Sequence, residues 1–534
     1  MIATTPDNLT RCSLCPAMCV LGTAWKSPDL VRVEYPLAPG SGLCPRGTAL
    51  GELLDCPARL RWARRREGER LLDMDLPRAI SAAAARMAGG AIVLIDGASL
   101  SVEEIASAAQ VAAAWKGVRV CAAIWPEDEQ LLLGMEASGA DYLADEDLAG
   151  CDGFVLIGDV FAANPRCARP ILDARRANPR GPVVAIDSGG AIVLSYAGMA
   201  IACPAGQELS ALREPRVAGA VSACKKLGVV VAAEAGRGPI WQRLGFEAGQ
   251  LAAKQGGGVC VQTVGANALA VLRMRKLLGL VSLAEAMTPS AGGVRVALGL
   301  DVLGMLGWDG PALVVAAAAV PNATTAQAEL VLPVALPCEC AGTFLRVGKQ
   351  VTTSVPLIAP PAGVPSPAEL LRALAVAAGV AVPPAANRVP GLDRLTVPEP
   401  AEPKFTATGG LVAYRQALQH AEGSLTNRAR WQTAVRPMPE LRISPADAAQ
   451  AGVADLDVAE VQTATGRSRV LVRVTPRLAA GTMAISEGFV AARRLAPHVV
   501  EADRDALVSA PAAATVRRVQ AQEVAPAASA AGRQ

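Results

Sequence analysis

Four cysteines near the start of the chain, Cys12, Cys15, Cys19 and Cys44, follow the spacing C-x2-C-x3-C-x24-C. Thiolates are soft donors, and four at this spacing suit the four iron corners of a [4Fe–4S] cubane. The short run can wrap three corners from one tight turn. Cys44, which opens Cys44-Pro45-Arg46-Gly47, closes the fourth from a returning segment. Four thiolates also suit tetrahedral zinc, but zinc usually takes two similar C-x2-C knuckles, and here the second half is a lone cysteine. A cluster that passes electrons is the first expectation, with zinc as its rival.

Such a cluster needs a scaffold, and beyond it the chain alternates buried strands with helices. Ala91-Ile92-Val93-Leu94-Ile95 ends in Asp96-Gly97 and leads to a helix over Ser101 to Ala114, capped near Ser101 with Glu103 and Glu104 in its first turn. Phe154 to Ile157 runs into Gly158-Asp159, Pro182 to Ile186 into Asp187-Ser188, and Val229 to Ala233 into Gly236-Arg237-Gly238. Apolar strands that end in Gly or Asp with helices between them make doubly wound parallel sheets, whose ligands bind at the carboxyl ends of the strands. A Pro/Ala-rich stretch at about Ala386 to Thr408 reads as a linker. Short alternating runs from Glu440 to Ile485 predict a small barrel. The Ala/Pro-rich residues after Val508 read as a disordered tail.

At 534 residues the chain is too long for one ordinary core. With 51 Lys+Arg against 48 Asp+Glu it has a net charge of +3, which argues against a nucleic-acid partner; Arg64-Arg65-Arg66 reads as a solvated face or subunit contact. The start has neither a secretory nor a twin-arginine signature, and the apolar run Ala312 to Val320 is too short to span a bilayer. Thirteen cysteines without a small disulfide scaffold indicate a reducing compartment, so a cytoplasmic location with no membrane span is expected. The nine cysteines outside the motif read as buried small hydrophobes.

Taken in order, the motifs resemble those of the molybdopterin oxidoreductases over roughly residues 10 to 505. The resemblance rests on the cysteine motif and on Asp152-Gly153-Phe154-Val155-Leu156-Ile157-Gly158-Asp159 with Asn164-Pro165. It also rests on Ala328-Glu329-Leu330-Val331-Leu332-Pro333 with Glu339-Cys340-Ala341-Gly342-Thr343-Phe344, and on Ile443-Ser444-Pro445-Ala446-Asp447-Ala448 with Gly452. It implies an α/β, multi-lobed fold: an N-terminal [4Fe–4S] lobe over 1–60, a discontinuous α/β lobe over 61–115 plus 290–385, and a pterin-dinucleotide-binding-like α/β lobe over 116–289. A linker over 386–439, a C-terminal dinucleotide-binding β-barrel over 440–507 and a disordered tail over 508–534 follow. The implied cofactors are a [4Fe–4S] cluster on Cys12, Cys15, Cys19 and Cys44, and a bis-molybdopterin guanine dinucleotide with molybdenum or tungsten. Arg46, Gly158, Asn164, Pro165, Asp187, Gly342 and Thr343 are the expected cofactor contacts. Gly158 and Asn164-Pro165 lie just past a strand, where backbone amides can meet a phosphate, and Asp187 is placed to hold ribose hydroxyls or a guanine edge. Taken singly, each also reads as ordinary turn chemistry.

Two departures stand against the match. Relatives commonly have lysine where this chain has Arg46, which keeps the charge but bonds as a planar fork. Where they place a metal ligand, this chain reads Val118 to Glu129 without histidine; Cys121 has the setting of a buried strand residue, and Glu127 and Asp128 read as a solvated loop. The only histidines are His420, read as a surface residue, and His498, read as a turn residue or cofactor contact. The leading expectation is an iron–sulfur electron-transfer subunit with two-electron chemistry at a pterin-bound metal and a flavin or iron–sulfur protein as electron-transfer partner. The alternatives are a non-catalytic scaffold and relay resembling the large subunit of NADH-quinone oxidoreductase, a formylmethanofuran dehydrogenase B-like subunit, and a zinc-stabilised nucleotide-binding protein.

Overall fold

The computed structural model describes residues 9–27, 30–36, 42, 44–288, 293–307, 313–348, 351–385, 392–405, 409–501 and 505–519. The cysteine-bearing segment forms a three-stranded antiparallel sheet of β1 (Thr10–Arg11), β2 (Val20–Ser27) and β3 (Leu30–Glu34). It is followed by helix α1 (Pro45–Leu54), where proline in the first turn costs no hydrogen bond.

β4 (Ala63–Glu67), β5 (Arg70–Met74), β6 (Ala91–Asp96) and β7 (Val118–Ala123) come next, with helix α2 (Leu76–Met87) before β6 and helix α3 (Val102–Ala114) between β6 and β7. Ser101 caps α3, its side chain accepting from Glu104 N while the Glu104 carboxylate returns to the Ser101 backbone. After α4 (Pro126–Ser138) the chain builds a five-stranded parallel sheet from β8 (Gly153–Ile157), β9 (Val183–Asp187), β10 (Met199–Ala202), β11 (Leu227–Val231) and β12 (Gly258–Val261), in the order β10-β9-β8-β11-β12. Every residue of β8, β9, β11 and β12 is buried, as expected of strands covered by helices on both faces.

The chain then returns through β13 (Val294–Leu298), β14 (Leu313–Ala318) and β15 (Leu330–Pro333) to complete a seven-stranded sheet, β5-β4-β15-β14-β13-β6-β7, parallel from β15 to β7. β6 and β14 therefore share a sheet, with β13 between them. β7 belongs to this sheet and not to the lobe over 116–289, because the crossover through α3 sets it beside β6 in parallel register.

A hairpin of β16 (Gly342–Leu345) and β17 (Val351–Ser354) precedes the C-terminal region. There β18 (Gly410–Tyr414), β19 (Glu440–Ile443), β20 (Val458–Gln462), β21 (Arg467–Val474) and β22 (Thr482–Ser486) are joined, after the small hairpin of β23 (Val499–Glu501) and β24 (Ala506–Val508), by β25 (Thr515–Arg518). The sheet order is β18-β22-β19-β21-β20-β25, and an isolated bridge joins Leu411 of edge strand β18 to Ala512, three residues before β25, through backbone hydrogen bonds of 2.7 and 2.9 Å.

Two expectations need correction here. The segment over 386–439 is not wholly a linker, since β18 begins the last sheet at Gly410; residues 386–391 and 406–408 lie outside the described residues. The expected tail from 508 includes a paired strand, because Thr515–Arg518 pairs antiparallel with β20 and its consecutive Arg517 and Arg518 reach Glu460 and Asp457 on and beside that strand. Residues 520–534 lie outside the described residues. No helix among the described residues is long and apolar enough to cross a membrane.

Candidate functional site

The turn between β1 and β2 carries Cys12, Cys15 and Cys19 and is closed by Cys12 N donating to Cys19 O at 2.9 Å and Met18 N to Cys15 O at 3.1 Å. Met18 has a φ of +42°, a conformation that costs a non-glycine residue energy and marks a tightly held turn. Cys44 is the residue before α1, so it stands at the positive end of that helix. Cys12, Cys15 and Cys19 are buried, and the four sulfurs act on one another electrostatically. Burial pushes the thiols of Cys12 and Cys15 up, the latter opposed by Arg46, and carries Cys19 to about 12 against the pull of Arg166. Among the described residues no three Cys, His, Asp or Glu side chains are grouped so as to hold a metal ion.

Distant residues pin this turn. Arg346 Nε donates to Pro16 O at 3.1 Å and pairs with Asp145 and Glu146; Arg166 donates to Ala17 O at 3.3 Å and pairs with the same two carboxylates. Arg46, 5% exposed, bonds Cys44 and donates from Nη2 to Ala163 O at 2.6 Å. Asn164 accepts from Arg166 N at 3.0 Å and Pro165 continues that turn, so this pair presents Arg166 to the cysteine turn.

The other expected contacts scatter. Gly158 has a φ of +76°, and a Cβ there would lie 2.4 Å from Ala232 O, so glycine serves the close approach of β8 and β11. Asp187 turns back on its own loop, Oδ2 accepting from Gly189 N at 2.9 Å and Ala191 N at 2.7 Å. Gly342 packs on Ser101, where a Cβ would come within 2.1 Å, and Thr343 N donates to Glu103 at 2.8 Å. Gly342 and Thr343 thus dock β16 on the start of α3, away from Asp187.

At the carboxyl end of the five-stranded sheet the space is filled. Arg237, 1% exposed, donates to Glu234 Oε2 at 2.9 Å, Glu208 Oε1 at 3.3 Å, Ser188 Oγ at 3.1 Å and the carbonyls of Ala235 and Ala413. Arg442 of β19 lies over the Tyr414 ring at 3.6 Å and donates to Gly189 O at 3.0 Å, and a Cβ on Gly189 would meet both Arg237 and Tyr414.

Between the cysteine lobe and the last sheet lies a different environment. Gln262 at the end of β12, and Arg415, Gln416, Gln419 and His420 just after β18, are all buried, and each holds a side-chain nitrogen or oxygen with no hydrogen-bond partner. Arg415 acts electrostatically on Arg46, which connects this set to the cysteines. His420 is thus interior rather than a surface residue: burial, Arg46 and Arg415 push its imidazole down to about 3 and keep it neutral.

The metal-ligand stretch also differs from its expectation. Cys121, fully buried in β7, packs among Ile92, Leu94, Leu283 and Leu303. Glu127 and Asp128 lie buried in the first turn of α4 rather than in a solvated loop, because each finds a side-chain partner from the C-terminal part. Glu127 contacts His498 Nε2 at 2.5 Å; burial opposes its ionisation, yet His498 and Arg493 hold its carboxyl down at about 2. Asp128 pairs with Arg415 at 3.1 Å, and burial raises it to about 6 against that pairing.

Residues 411–517 match the family model of the molydopterin dinucleotide binding domain. The fold is similar to that of acetylene hydratase from Pelobacter acetylenicus, with a TM-score of 0.64 at 12% identity, covering 96% of this chain and 100% of that chain. No curated protein matches the chain by sequence. The family model thus covers residues 411–517, and over the rest of the chain the likeness to acetylene hydratase is one of fold. The matched residues 411–517 run from β18 through most of β25 and begin about thirty residues before the barrel boundary read from the sequence.

The residues can be set against both groups that the resemblance implies. Three buried thiols on one turn and a fourth, half-buried, before α1, with Arg46 and Arg166 beside them, are the donor types a cubane takes, though among the described residues they are not drawn into one metal-holding group. The unpartnered polar atoms of Gln262 and Arg415 to His420 are what a polar ligand such as a pterin would satisfy.

Proposed function

We propose that this chain is an iron–sulfur electron-transfer subunit of the molybdopterin oxidoreductase type. Cys12, Cys15, Cys19 and Cys44 would hold one [4Fe–4S] cluster, and Arg46, Arg415, Gln416, Gln419, His420 and Gln262 would contact a bis-molybdopterin guanine dinucleotide with molybdenum or tungsten, covered by the dinucleotide-binding domain. Bound there, that cofactor would supply two-electron redox chemistry, and Arg46 contributes a buried positive charge beside Cys44. The observation that carries this reading is the continuity from Cys44 through Arg46 to Arg415 and its unpartnered neighbours. One cluster passes single electrons, so an electron-transfer partner, a flavin or iron–sulfur protein, completes the path in the cytoplasm.

A second reading, a scaffold and relay like the large subunit of NADH-quinone oxidoreductase, is favoured by Cys121, which is buried away from any cleft, and by Glu127 and Asp128, which are consumed in ion pairs. Metal analysis of anaerobically purified protein separates the two. About four irons with matching sulfide plus molybdenum or tungsten supports the first reading, and iron alone the second. Stoichiometric zinc without charge-transfer absorption rejects both. Cys15→Ser should remove most of the iron and its absorption, whereas Cys224→Ser should retain them.

A further inference from the structure

A cavity of about 370 Å³ lies between α3, the helix Pro367–Ala377 and the turn that follows β15. On one side α3 presents Glu104 and Ser107, one helical turn apart, and from the other helix Arg372 faces the same space. Ala335, Ala341, Pro360 and Ala368 form the apolar wall, and their short side chains leave room that longer ones would fill. None of the lining residues belongs to the set from Arg46 to Arg415 and His420 that is assigned to the pterin.

Three polar atoms of these lining residues are buried and make no hydrogen bond: Glu104 Oε1, Ser107 Oγ and Arg372 Nη1. Ser107 is 4% exposed, and a serine inside a helix ordinarily bonds back to the carbonyl one turn before it, which this one does not. Glu104 spends Oε2 on the capping box with Ser101, which leaves Oε1 open toward the helix Pro367–Ala377. Arg372 is the one lysine or arginine in the lining; it donates from Nη2 to Pro383 O and has no ion pair among the described residues. The other carboxylates are engaged, Glu103 accepting from Thr343 N, Glu339 from Leu336 N and Arg59, and Glu369 from Ser366 N. One acceptor, one cationic donor and one hydroxyl therefore stand unmatched around a single space.

We infer that this cavity binds an aliphatic α-amino acid as its zwitterion, the ammonium donating to Glu104 Oε1 and Ser107 Oγ, the carboxylate accepting from Arg372 Nη1, and the alkyl side chain lying on the alanine and proline wall. The inference goes beyond the proposed function and does not depend on it. Buried donors and acceptors ordinarily find partners, and a ligand carrying both charges supplies all three at once. A simple carboxylate would satisfy Arg372 but meet four glutamates in the lining, and a simple amine would satisfy Glu104 but leave Arg372 unmatched.

Calorimetric titration of the full-length, cluster-loaded chain with L-leucine tests this, with isopentylamine and isocaproate, which lack the carboxylate and the ammonium respectively, as comparison titrants. The buffer is held above pH 7, because burial raises Glu104 to about 7 and its carboxylate is ionised beyond that. Saturable binding of leucine is expected, at least about tenfold tighter than that of either comparison. Arg372→Met should abolish the preference over isopentylamine, and Glu104→Gln, which keeps a capping-box residue, the preference over isocaproate; Ser107→Ala should weaken leucine alone. Should one variant fail to fold, the other two carry the test. No saturable binding of leucine, a comparison titrant that binds as tightly, or unchanged affinity in the folded variants would overturn the inference.

Discussion

The two parallel sheets end in opposite ways. At the carboxyl end of the five-stranded sheet, Arg237 is surrounded by Glu234, Glu208, Ser188 and two carbonyls, and Arg442 and Tyr414 pack against the same loop. At the carboxyl end of the seven-stranded sheet, Asp96, Asp301 and Glu422 line a cavity with no lysine or arginine among its lining residues. Both sheets follow the rule that ligands bind at strand ends, yet the dinucleotide-binding domain plugs one end with arginine and tyrosine and gives the other only the segment from His420 to Leu425. Topology nominates a site; the side chains of the covering domain decide whether it is filled or open.

The contrast can be broken most directly at Arg237. Replacing it with methionine leaves Glu208 and Glu234 buried without their cation, and a loss of about 3–5 kcal/mol in chemical denaturation is expected; adding Glu234→Gln should restore part of it. A change below about 1 kcal/mol would show that the plug is not held by these pairs.

At the open end, Gly304→Ala should cost about 1–3 kcal/mol, because the new Cβ would stand 2.4 Å from Asp301 Oδ2 and part it from Glu422. Thermal melting checks it, and a neutral result would separate the two carboxyls. Outside both ends, Ser101→Ala removes one side of the capping box of α3 and should cost about 1 kcal/mol, a reference against which the Gly304 effect is read.

The smallest effect is a pH slope. Glu422 has its folded value raised to about 8 from 4.5, so between these the folded state holds a proton that the unfolded state has lost. The stability from this group is therefore present below about 4.5 and declines as pH rises toward about 8. Glu422→Gln should flatten that decline in denaturation curves taken across the range. A slope unchanged by the substitution would place its origin in other groups.

The cysteine turn and the strands were legible in the sequence because each is a local pattern. The spacing of Cys12, Cys15 and Cys19 demands a turn, and continuous apolar runs such as Ala91 to Ile95 demand a strand buried on both faces. The candidate site was less legible. Asn164 was read as a ligand-facing amide, and its Oδ1 orders the turn that carries Arg166; Asp187 was read as a ribose acceptor, and its Oδ2 caps its own loop while Oδ1 is buried without a hydrogen-bond partner. Glu127 and Asp128 looked solvated because their partners, His498 and Arg415, are remote in the chain. β18 was hidden because five residues after a proline-rich run carry too little periodicity to be read as a strand.

By itself the sequence determined the soft-donor motif, the alternation of strand and helix, and the order in which they come, since all of these reside in spacing and hydrophobic period. Only the tertiary structure decided which strand ends are open. That depends on Arg237 meeting Glu208, on Arg415 meeting Asp128, and on Glu422 meeting Asp301 over Gly304. A charge in a sequence carries no mark of its partner, and its burial and protonation follow from the partner the fold provides.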